Sequence, residues 1–222
     1  KKHKTDFSSV FFNAGAHIQH HYFFNSKYLK NNRLNNPEWY IKEKHDPIRD
    51  MILFYDKILS EYKKLDDYEI FLVTGLSQKP YDRVKFYYRL KDHENFLKIL
   101  NINFLKVEPR MTRDFLVIFN NNSEKEYAIK KLYELNHINK RKIFSLEDRE
   151  ESIFVTLSLK EEVYDNEKIL IDIQKKIFIK DHIVFVALKN GMHDSKGYFY
   201  SSFDTKVQSI TEIDKKIINF FS

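Results

Sequence analysis

The sequence predicts an α/β fold, with a mainly parallel sheet flanked by helices and a small α+β insertion. Short apolar runs typical of buried strands alternate with amphipathic segments of helical period. A strong helix signal separates the first two strands, and a strand–helix–strand order is typical of parallel sheets. Only four glycines and four prolines occur in 222 residues, which argues against long linkers. With no cysteine in the chain, disulfides and thiolate metal sites are excluded.

The first part of the chain supplies one strand and two helices. Ser8–Phe12 has the composition of a buried strand, and Ala16–Phe24 is predicted as a helical segment that carries histidines. Asp46 is predicted to cap a helix that has Pro47 at its first position, and apolar residues recur at helical spacing as far as Tyr62. This helix is the most strongly signalled element of the sequence.

The second strand is predicted at Glu69–Val73, and it leads into a turn at Thr74–Gln78. The polar segment Asn31–Lys44 before it is predicted to be a loop or a short helix. In parallel sheets, ligands bind at the carboxyl ends of the strands. We therefore expect Asn13–His21 and the Thr74 turn to meet at one edge of the sheet.

Residues 91–179 are predicted to be an α+β insertion, and 1–90 with 180–222 the α/β core. A capping box at Ser123 and Glu126 marks the start of the central helix of the insertion. A last strand, His182–Leu188, leads into a loop at Lys189–Ser195, and Thr211–Phe220 is an amphipathic helix. The insertion is predicted to contain the helix Glu94–Leu100, the strand Phe115–Phe119, the helix Glu124–Leu135, the strand Ile153–Leu159 and the helix Asn166–Ile177.

Histidines indicate where chemistry would occur. His17, His20 and His21 fall within five residues just after the first predicted strand, and His193 follows the last one. Neutral imidazole is a ligand for zinc and similar metals and a group for acid–base chemistry. The alternative is that these histidines cap loops or form hydrogen bonds with the backbone.

Three short motifs resemble those of the alkaline phosphatase superfamily, in particular its phosphodiesterase, nucleotide pyrophosphatase and sulfatase-like members. The segment from Asn13 to His17, NAGAH, is similar to the Asp-x-x-x-His metal motif. The segment Gly191-Met-His193-Asp is similar to the late Gly-x-His-Gly motif. The turn that contains Gly75 stands where the family has Ser-Asp-His-Gly.

The resemblance implies a metal-dependent hydrolase of phosphodiesters, phosphomonoesters or sulfate esters, of which this chain is the C-terminal half. It implies zinc or manganese as cofactor and no nucleotide cofactor, with His17, His193 and Asn13 as metal ligands. His21, one helical turn after His17, is a further candidate ligand, and Asp194 is predicted to orient a histidine. The family's nucleophile belongs to an N-terminal segment that this chain lacks, so no catalytic residue is assigned.

Departures from the family pattern support an alternative function. Asn13 replaces a metal-binding Asp, and Gly75 and Leu76 replace an Asp and a His. An amide oxygen is a weaker ligand for a dication than a carboxylate. The alternative is therefore a family member that has lost its catalytic activity and acts as a binding or scaffold module.

Cationic side chains provide candidate contacts for a small anionic ester or a glycan. Lys79, Arg110 and Arg113 are the candidates, since guanidinium and ammonium groups bind phosphate and sulfate. The alternatives are a solvated edge at Lys79 and internal salt bridges from the arginines to Glu108 or Asp114.

Composition bears on partners and on location. The net charge of +6 is spread along the chain among interleaved lysines and acids, so a nucleic-acid-binding protein is only a third hypothesis and nucleic acid is not an expected partner. No apolar run approaches the ~20 residues of a membrane span. No secretory signal is evident, and a cytoplasmic location is expected.

Overall fold

The computed structural model of the chain describes residues 5–29, 34–65, 68–202 and 209–220. Two compact units are formed: unit 1 comprises Lys1–Val84 and Lys189–Ser222, and unit 2 comprises Lys85–Leu188. The predicted insertion, 91–179, lies within unit 2. None of the helices in the described ranges is long and apolar enough to cross a membrane.

Helices and strands alternate irregularly along the chain. The helices are α1 (Ala14–Tyr22), α2 (Pro47–Tyr62), α3 (His93–Ile99), α4 (Asn122–Ile138), α5 (Ile179–His182) and α6 (Ile213–Phe220). The strands are β1 (Phe71–Thr74), β2 (Ser77–Leu90), β3 (Lys106–Pro109), β4 (Asp114–Ile118), β5 (Phe144–Arg149), β6 (Ser152–Leu157), β7 (Lys168–Leu170), β8 (Lys176–Phe178), β9 (Ile183–Asp194) and β10 (Tyr198–Ser201). Two 3-10 helices, Phe23–Asn25 and Ile210–Glu212, follow α1 and precede α6.

The predicted parallel α/β fold is wrong, because every sheet of the described residues is antiparallel. The predicted first strand, Ser8–Phe12, forms neither a helix nor a strand. Helix α2 therefore does not connect two parallel strands. Instead, β1 pairs antiparallel with β10, with Val73 opposite Phe199. The predicted edge of a parallel sheet is therefore absent from the described residues. Gln78 of the predicted turn nevertheless contacts the histidine helix α1, since its Nε2 donates to the Ala16 carbonyl at 3.0 Å.

The resemblance to the alkaline phosphatase superfamily is overturned by the same finding. Its three motifs were expected in loops at one edge of a parallel sheet, and no parallel sheet is present in the described residues. The segment around His193 is not a loop, since β9 continues without interruption from Ile183 to Asp194.

Unit 2 is built around a four-stranded antiparallel sheet with the strand order β3-β4-β6-β5. Alternating residues of the central strands, such as Phe115 and Val155, are completely buried. Helix α4 contributes Leu132 to the same core, and the Phe144 ring lies 5.7 Å from that of Phe96 on α3. The period-two pattern of β4 and β6 thus places their apolar faces toward the helices.

Most predicted elements of unit 2 are confirmed, but two details of the prediction are wrong. The segment predicted as the helix Asn166–Ile177 forms the antiparallel pair β7 and β8. Asp172 stabilises the turn between them by accepting hydrogen bonds from the backbone N–H groups of Gln174 and Lys175, at 2.8 and 2.7 Å. The cap of α4 is Asn121, which accepts from the Glu124 N–H at 2.9 Å, so Ser123 lies inside the helix.

Unit 1 confirms the strongest local signal of the sequence. Asp46 caps α2 through a 3.0 Å hydrogen bond from the Arg49 N–H, with Pro47 at the first helical position. The same buried carboxylate accepts the Lys27 N–H at 3.0 Å. Asp46 therefore anchors the start of α2 to the segment that follows α1.

A buried pair of asparagine side chains joins β9 to the rest of unit 1. Asn36 donates to Asn190 at 2.7 Å, and Asn190 donates back to the Asn36 carbonyl at 2.9 Å. The Phe24 N–H also donates to the Asn190 carbonyl at 3.3 Å. Asn190 is completely buried, so these bonds replace water that the amide cannot reach.

Replacing Asn190 with alanine is expected to destabilise unit 1. Asn190→Ala leaves the Asn36 carbonyl and the Phe24 N–H without this partner in a buried environment, and the expected loss is about 2–4 kcal/mol in the free energy of unfolding. Urea unfolding followed by fluorescence of Trp39, the one tryptophan of the chain, reports on unit 1.

The matched control is Asn35→Ala, since Asn35 is exposed and belongs to the same unit as Trp39. A loss below about 0.5 kcal/mol is expected for it. Equal losses in the two variants would contradict the role assigned to Asn190.

Candidate functional site

Two histidines from distant parts of the chain meet in unit 1. The Nε2 atoms of His20 on α1 and His193 on β9 are 3.1 Å apart, and the ring centroids are 4.9 Å apart. His193 is exposed and His20 is half-buried. The pair is therefore a solvent-accessible site with two imidazole nitrogens close together.

A backbone carbonyl fixes the tautomer of His20. Its Nδ1 atom lies 2.9 Å from the Gly191 carbonyl oxygen. A carbonyl oxygen only accepts hydrogen bonds, so Nδ1 must carry the proton and donate it. In neutral His20 the lone pair is consequently on Nε2, which faces His193. The Nε2–H of His193 donates to this lone pair.

Gly191 brings α1 close enough to β9 for this contact. A Cβ atom at Gly191 would lie 2.7 Å from the Gln19 carbonyl oxygen and 2.6 Å from Oε1 of Gln78. Gln78 in turn donates from Nε2 to the Ala16 carbonyl at 3.0 Å. Because Gly191 and His193 are two residues apart in a strand, they share one face, and a helix packed on Gly191 reaches His193.

Burial and positive charge favour the neutral form of His20. Burial lowers the pKa of His20 below its ordinary value of 6.5, and the nearby charge of Lys189 lowers it further, whereas the hydrogen bond to Gly191 opposes both effects. Burial also lowers the pKa of Lys189. At neutral pH, His20 therefore presents an unprotonated Nε2 atom.

The structure places two of the four predicted metal ligands, His17 and His21, side by side and gives His193 a different neighbour. His17 lies beside His21, with ring centroids 4.6 Å apart, and His21 is buried. Asn13 is the exposed N-cap residue of α1 and makes no capping hydrogen bond with its side chain. His193 has His20, rather than His17, as its ring neighbour. Among the residues that the structure describes, no three histidine, aspartate or glutamate side chains are placed to hold one metal ion.

The predicted anion-binding and orienting residues lie in different surroundings. In unit 1, Lys79 pairs with Asp194 at 3.8 Å. In unit 2, Arg110 forms the expected internal salt bridge with Glu108, at 3.1 Å. The Arg113 guanidinium stacks 4.3 Å from the Tyr87 ring centroid. Of the three predicted cations, Lys79 alone belongs to the unit that contains the histidine pair.

The sequence contained a signal for His20 that the prediction did not use. On a helix, His17 shares a face with residues three and four positions later, which are His20 and His21. The spacing of four predicts His21 as a ligand and leaves His20 with a structural role. The structure instead brings His20, at the spacing of three, next to His193. A second signal is the two-residue period of a strand, which places Gly191 and His193 on the same face.

Comparison of the chain with protein-family models, with curated proteins and with solved structures finds no match. The predicted membership of the alkaline phosphatase superfamily thus has no support from known families. The geometry of the histidine pair is the remaining guide to function.

A side chain at residue 191 is expected to disturb the histidine pair. In Gly191→Ala the new Cβ atom overlaps the backbone of α1, so α1 must shift and the His20–Gly191 hydrogen bond lengthens. The expected cost is about 1–3 kcal/mol in the stability of unit 1, measured by urea unfolding.

The comparison variant is Gly15→Ala, whose Cβ atom would meet the Tyr55 and Met51 side chains at 3.0–3.2 Å rather than backbone atoms. Side chains can move, so a smaller loss is expected. Nitrogen NMR of the imidazoles should show an Nδ1-protonated His20 in the native protein and a perturbed one in Gly191→Ala. A greater loss in Gly15→Ala would contradict the assigned role of Gly191.

Acidification is expected to destabilise unit 1 through His20. The folded-state pKa of His20 lies below the unfolded value of about 6.5, so the unfolded state binds the proton first as pH falls. The contribution of His20 to stability is therefore complete above pH 6.5 and is lost as pH falls through the folded-state pKa.

Trp39 fluorescence in urea at several pH values, in the presence of a chelator, measures this dependence. His20→Gln should reduce the loss of stability on acidification. The exposed His45 provides the control, and His45→Gln should behave like the native protein. An unchanged pH dependence in His20→Gln would rule out this role.

Proposed function

We propose that unit 1 binds a divalent transition metal ion, zinc or manganese, through His20 and His193, and that the protein is a metal-dependent hydrolase of phosphate or sulfate esters. The single observation that carries this proposal is the 3.1 Å separation of the two Nε2 atoms. Nitrogen ligands about 2.0–2.1 Å from a tetrahedral zinc ion lie roughly 3.3–3.4 Å from each other. To share one ion, the two nitrogens need to separate by only a few tenths of an ångström, and His193 must carry its proton on Nδ1 instead of Nε2.

The hydrogen bond from His20 to Gly191 supports the same proposal. Histidines that bind metals usually donate their other ring N–H to a carbonyl or carboxylate, which holds the ring in place and makes the ligand nitrogen more basic. His20 has this arrangement, at 2.9 Å. The lowered pKa of His20 also favours binding, because a metal competes with the proton for Nε2.

Positive charge near the pair favours an anionic substrate. Lys189 is close enough to affect the pKa of His20, and Lys79 is paired with Asp194, the residue after His193. A bound dication would supply Lewis acidity to a phosphoryl or sulfuryl oxygen. Lys79 and Lys189 would hold the ester anion. His20 and His193 would hold the metal ion, which would fix the position of the ester relative to β9. We place this activity in the cytoplasm, since a chain without cysteine needs no oxidising compartment to fold.

Metal binding should depend on His20 and His193. Titration calorimetry of chelator-treated protein with zinc or manganese chloride is expected to show one site. His20→Ala and His193→Ala should each weaken it at least about tenfold, whereas His45→Ala should leave it unchanged. Turnover of p-nitrophenyl phosphate, bis(p-nitrophenyl) phosphate or p-nitrophenyl sulfate should require the ion and be lost in His193→Ala.

Native affinity in both alanine variants would overturn the metal site. Metal binding without turnover of any of the three esters would overturn the hydrolase and leave a metal-binding module.

A second candidate function is a protein-binding module, and a specific observation supports it. Unit 1 exposes large apolar side chains on several elements, including Phe11 at 87% and Phe54 at 60%. Extensive exposed apolar surface is typical of interaction sites. This function does not require the histidine pair, and the two candidates can be tested independently.

A further inference from the structure

The segment before α1 has the composition of a strand but no sheet partner among the described residues. Residues 5–14 are all exposed, and the segment forms neither helix nor strand up to Asn13. Phe7, Val10 and Phe11 are 56%, 53% and 87% exposed. From Phe7 to Ala14 the sequence FSSVFFNA carries no charge. Such a sequence favours a buried strand.

Helix α2 continues this apolar surface. Met51–Tyr55, MILFY, places apolar side chains on every side of one helical turn. Met51 is buried, whereas Ile52, Leu53 and Phe54 are 42%, 46% and 60% exposed. A helix that is apolar all round is normally buried. The Phe12 ring lies 5.4 Å from the Tyr55 ring, so the segment and α2 are in contact.

Strand β1 has an edge that no described strand covers. Its one partner is β10, in a two-stranded sheet. The Ser202 N–H donates to the Ile70 carbonyl at 3.0 Å, so residues 70, 72 and 74 direct their backbone groups toward β10. The N–H and C=O of Val73 consequently face away from β10. Leu72 and Val73 are also 41% and 39% exposed, and an apolar edge of this kind is a template for a further strand.

We propose that two copies of this chain associate by strand addition, with residues 7–12 of each copy pairing with the β1 edge of the other. The chain supplies both components: a segment of strand composition, and a strand edge that no other strand of the described residues covers. Strand addition gains main-chain hydrogen bonds, and adjacent side chains determine specificity. The reciprocal exchange makes two equivalent junctions and closes a twofold dimer.

Charge favours a second copy as the occupant. The run from Phe71 to Ser77, FLVTGLS, is uncharged, like the run from Phe7 to Ala14. Pairing the two runs buries no ionised side chain and incurs none of the desolvation that a charged partner would incur. In a chain that is 32% charged, two uncharged runs of this kind are well matched to each other.

The exposed area is sufficient for a stable dimer. The exposed apolar side chains of the segment, of the middle of α2 and of β1 are Phe7, Val10, Phe11, Phe12, Ile52, Leu53, Phe54, Leu72 and Val73. At roughly 100 Å² for each half-exposed side chain, one copy can bury about 900 Å². Standard interfaces bury about 800 Å² on each partner.

Light scattering during size-exclusion chromatography, from about 1 to 100 µM, tests the dimer. The native protein is expected to show a mass that doubles with concentration. Phe11→Asp should weaken association at least about tenfold, because it places a charge in the junction. Met111, 94% exposed in unit 2, provides the matched control, and Met111→Asp should associate normally. Equal melting temperatures of the two variants would show that both are folded.

Cross-linking tests the strand pairing itself, and the absence of cysteine makes it specific. Copies carrying Ser9→Cys, mixed with copies carrying Val73→Cys, should form a mixed disulfide under air oxidation. Met111→Cys mixed with Val73→Cys should not.

Three outcomes would overturn the proposal. They are a native protein that stays monomeric to 100 µM, a dimer that Phe11→Asp leaves intact, and a dimer without the Ser9–Val73 cross-link. A monomer that binds vesicles of phosphatidylcholine and phosphatidylglycerol through Phe11 would assign this surface to membranes and would likewise overturn it.

Discussion

The packing of α1 against β9 is the constraint on which unit 1 depends. On one side of β9, Asn190 holds the strand through its paired hydrogen bonds with Asn36. On the other side, Gly191 has no side chain, which allows α1 to approach the strand closely. Both residues are buried, so a change of side-chain shape at either one is expected to disturb its interaction. Because the two residues are adjacent, the position of the helix and the position of the strand are determined together. The approach of His20 to His193 follows from this geometry.

Electrostatics then gives the histidine pair its chemical character. The Nε2 atoms of His20 and His193 face each other. If both carried a proton, two N–H groups would point at one another, which is unfavourable. The Gly191 carbonyl determines which nitrogen of His20 keeps its proton, and burial keeps the ring neutral. The resulting lone pair can accept a proton from His193 or bind a cation. If the proposed metal site is correct, the ion would compete with the proton for this nitrogen.

Local features of the fold could be predicted from sequence, and long-range pairing could not. Asp46 and Pro47 determine the start of α2 through contacts within one turn, so the signal in the sequence was sufficient. The partner of β1 is more than 120 residues away, and apolar composition says nothing about which strand lies beside it. The helix predicted at 166–177 failed because the turn at Asp172 outweighs a weak helical periodicity. In the candidate site, the histidine cluster and His193 were recognised, but the contact between His20 and His193 depends on Gly191, whose role is steric.

The alternation of faces along β9 has a consequence for how this chain can vary. Asn190 points to the buried amide network, and Gly191 faces α1, so core and site are interleaved residue by residue. Inserting or deleting one residue in this stretch would exchange the two faces of the strand. Both the amide network of Asn190 and the contact of Gly191 with α1 would then be lost. Natural variants should therefore preserve the length of this strand more strictly than the identity of its exposed side chains. Changes in length should accumulate instead in the turn after Asp194, where Ser195 and Lys196 are exposed.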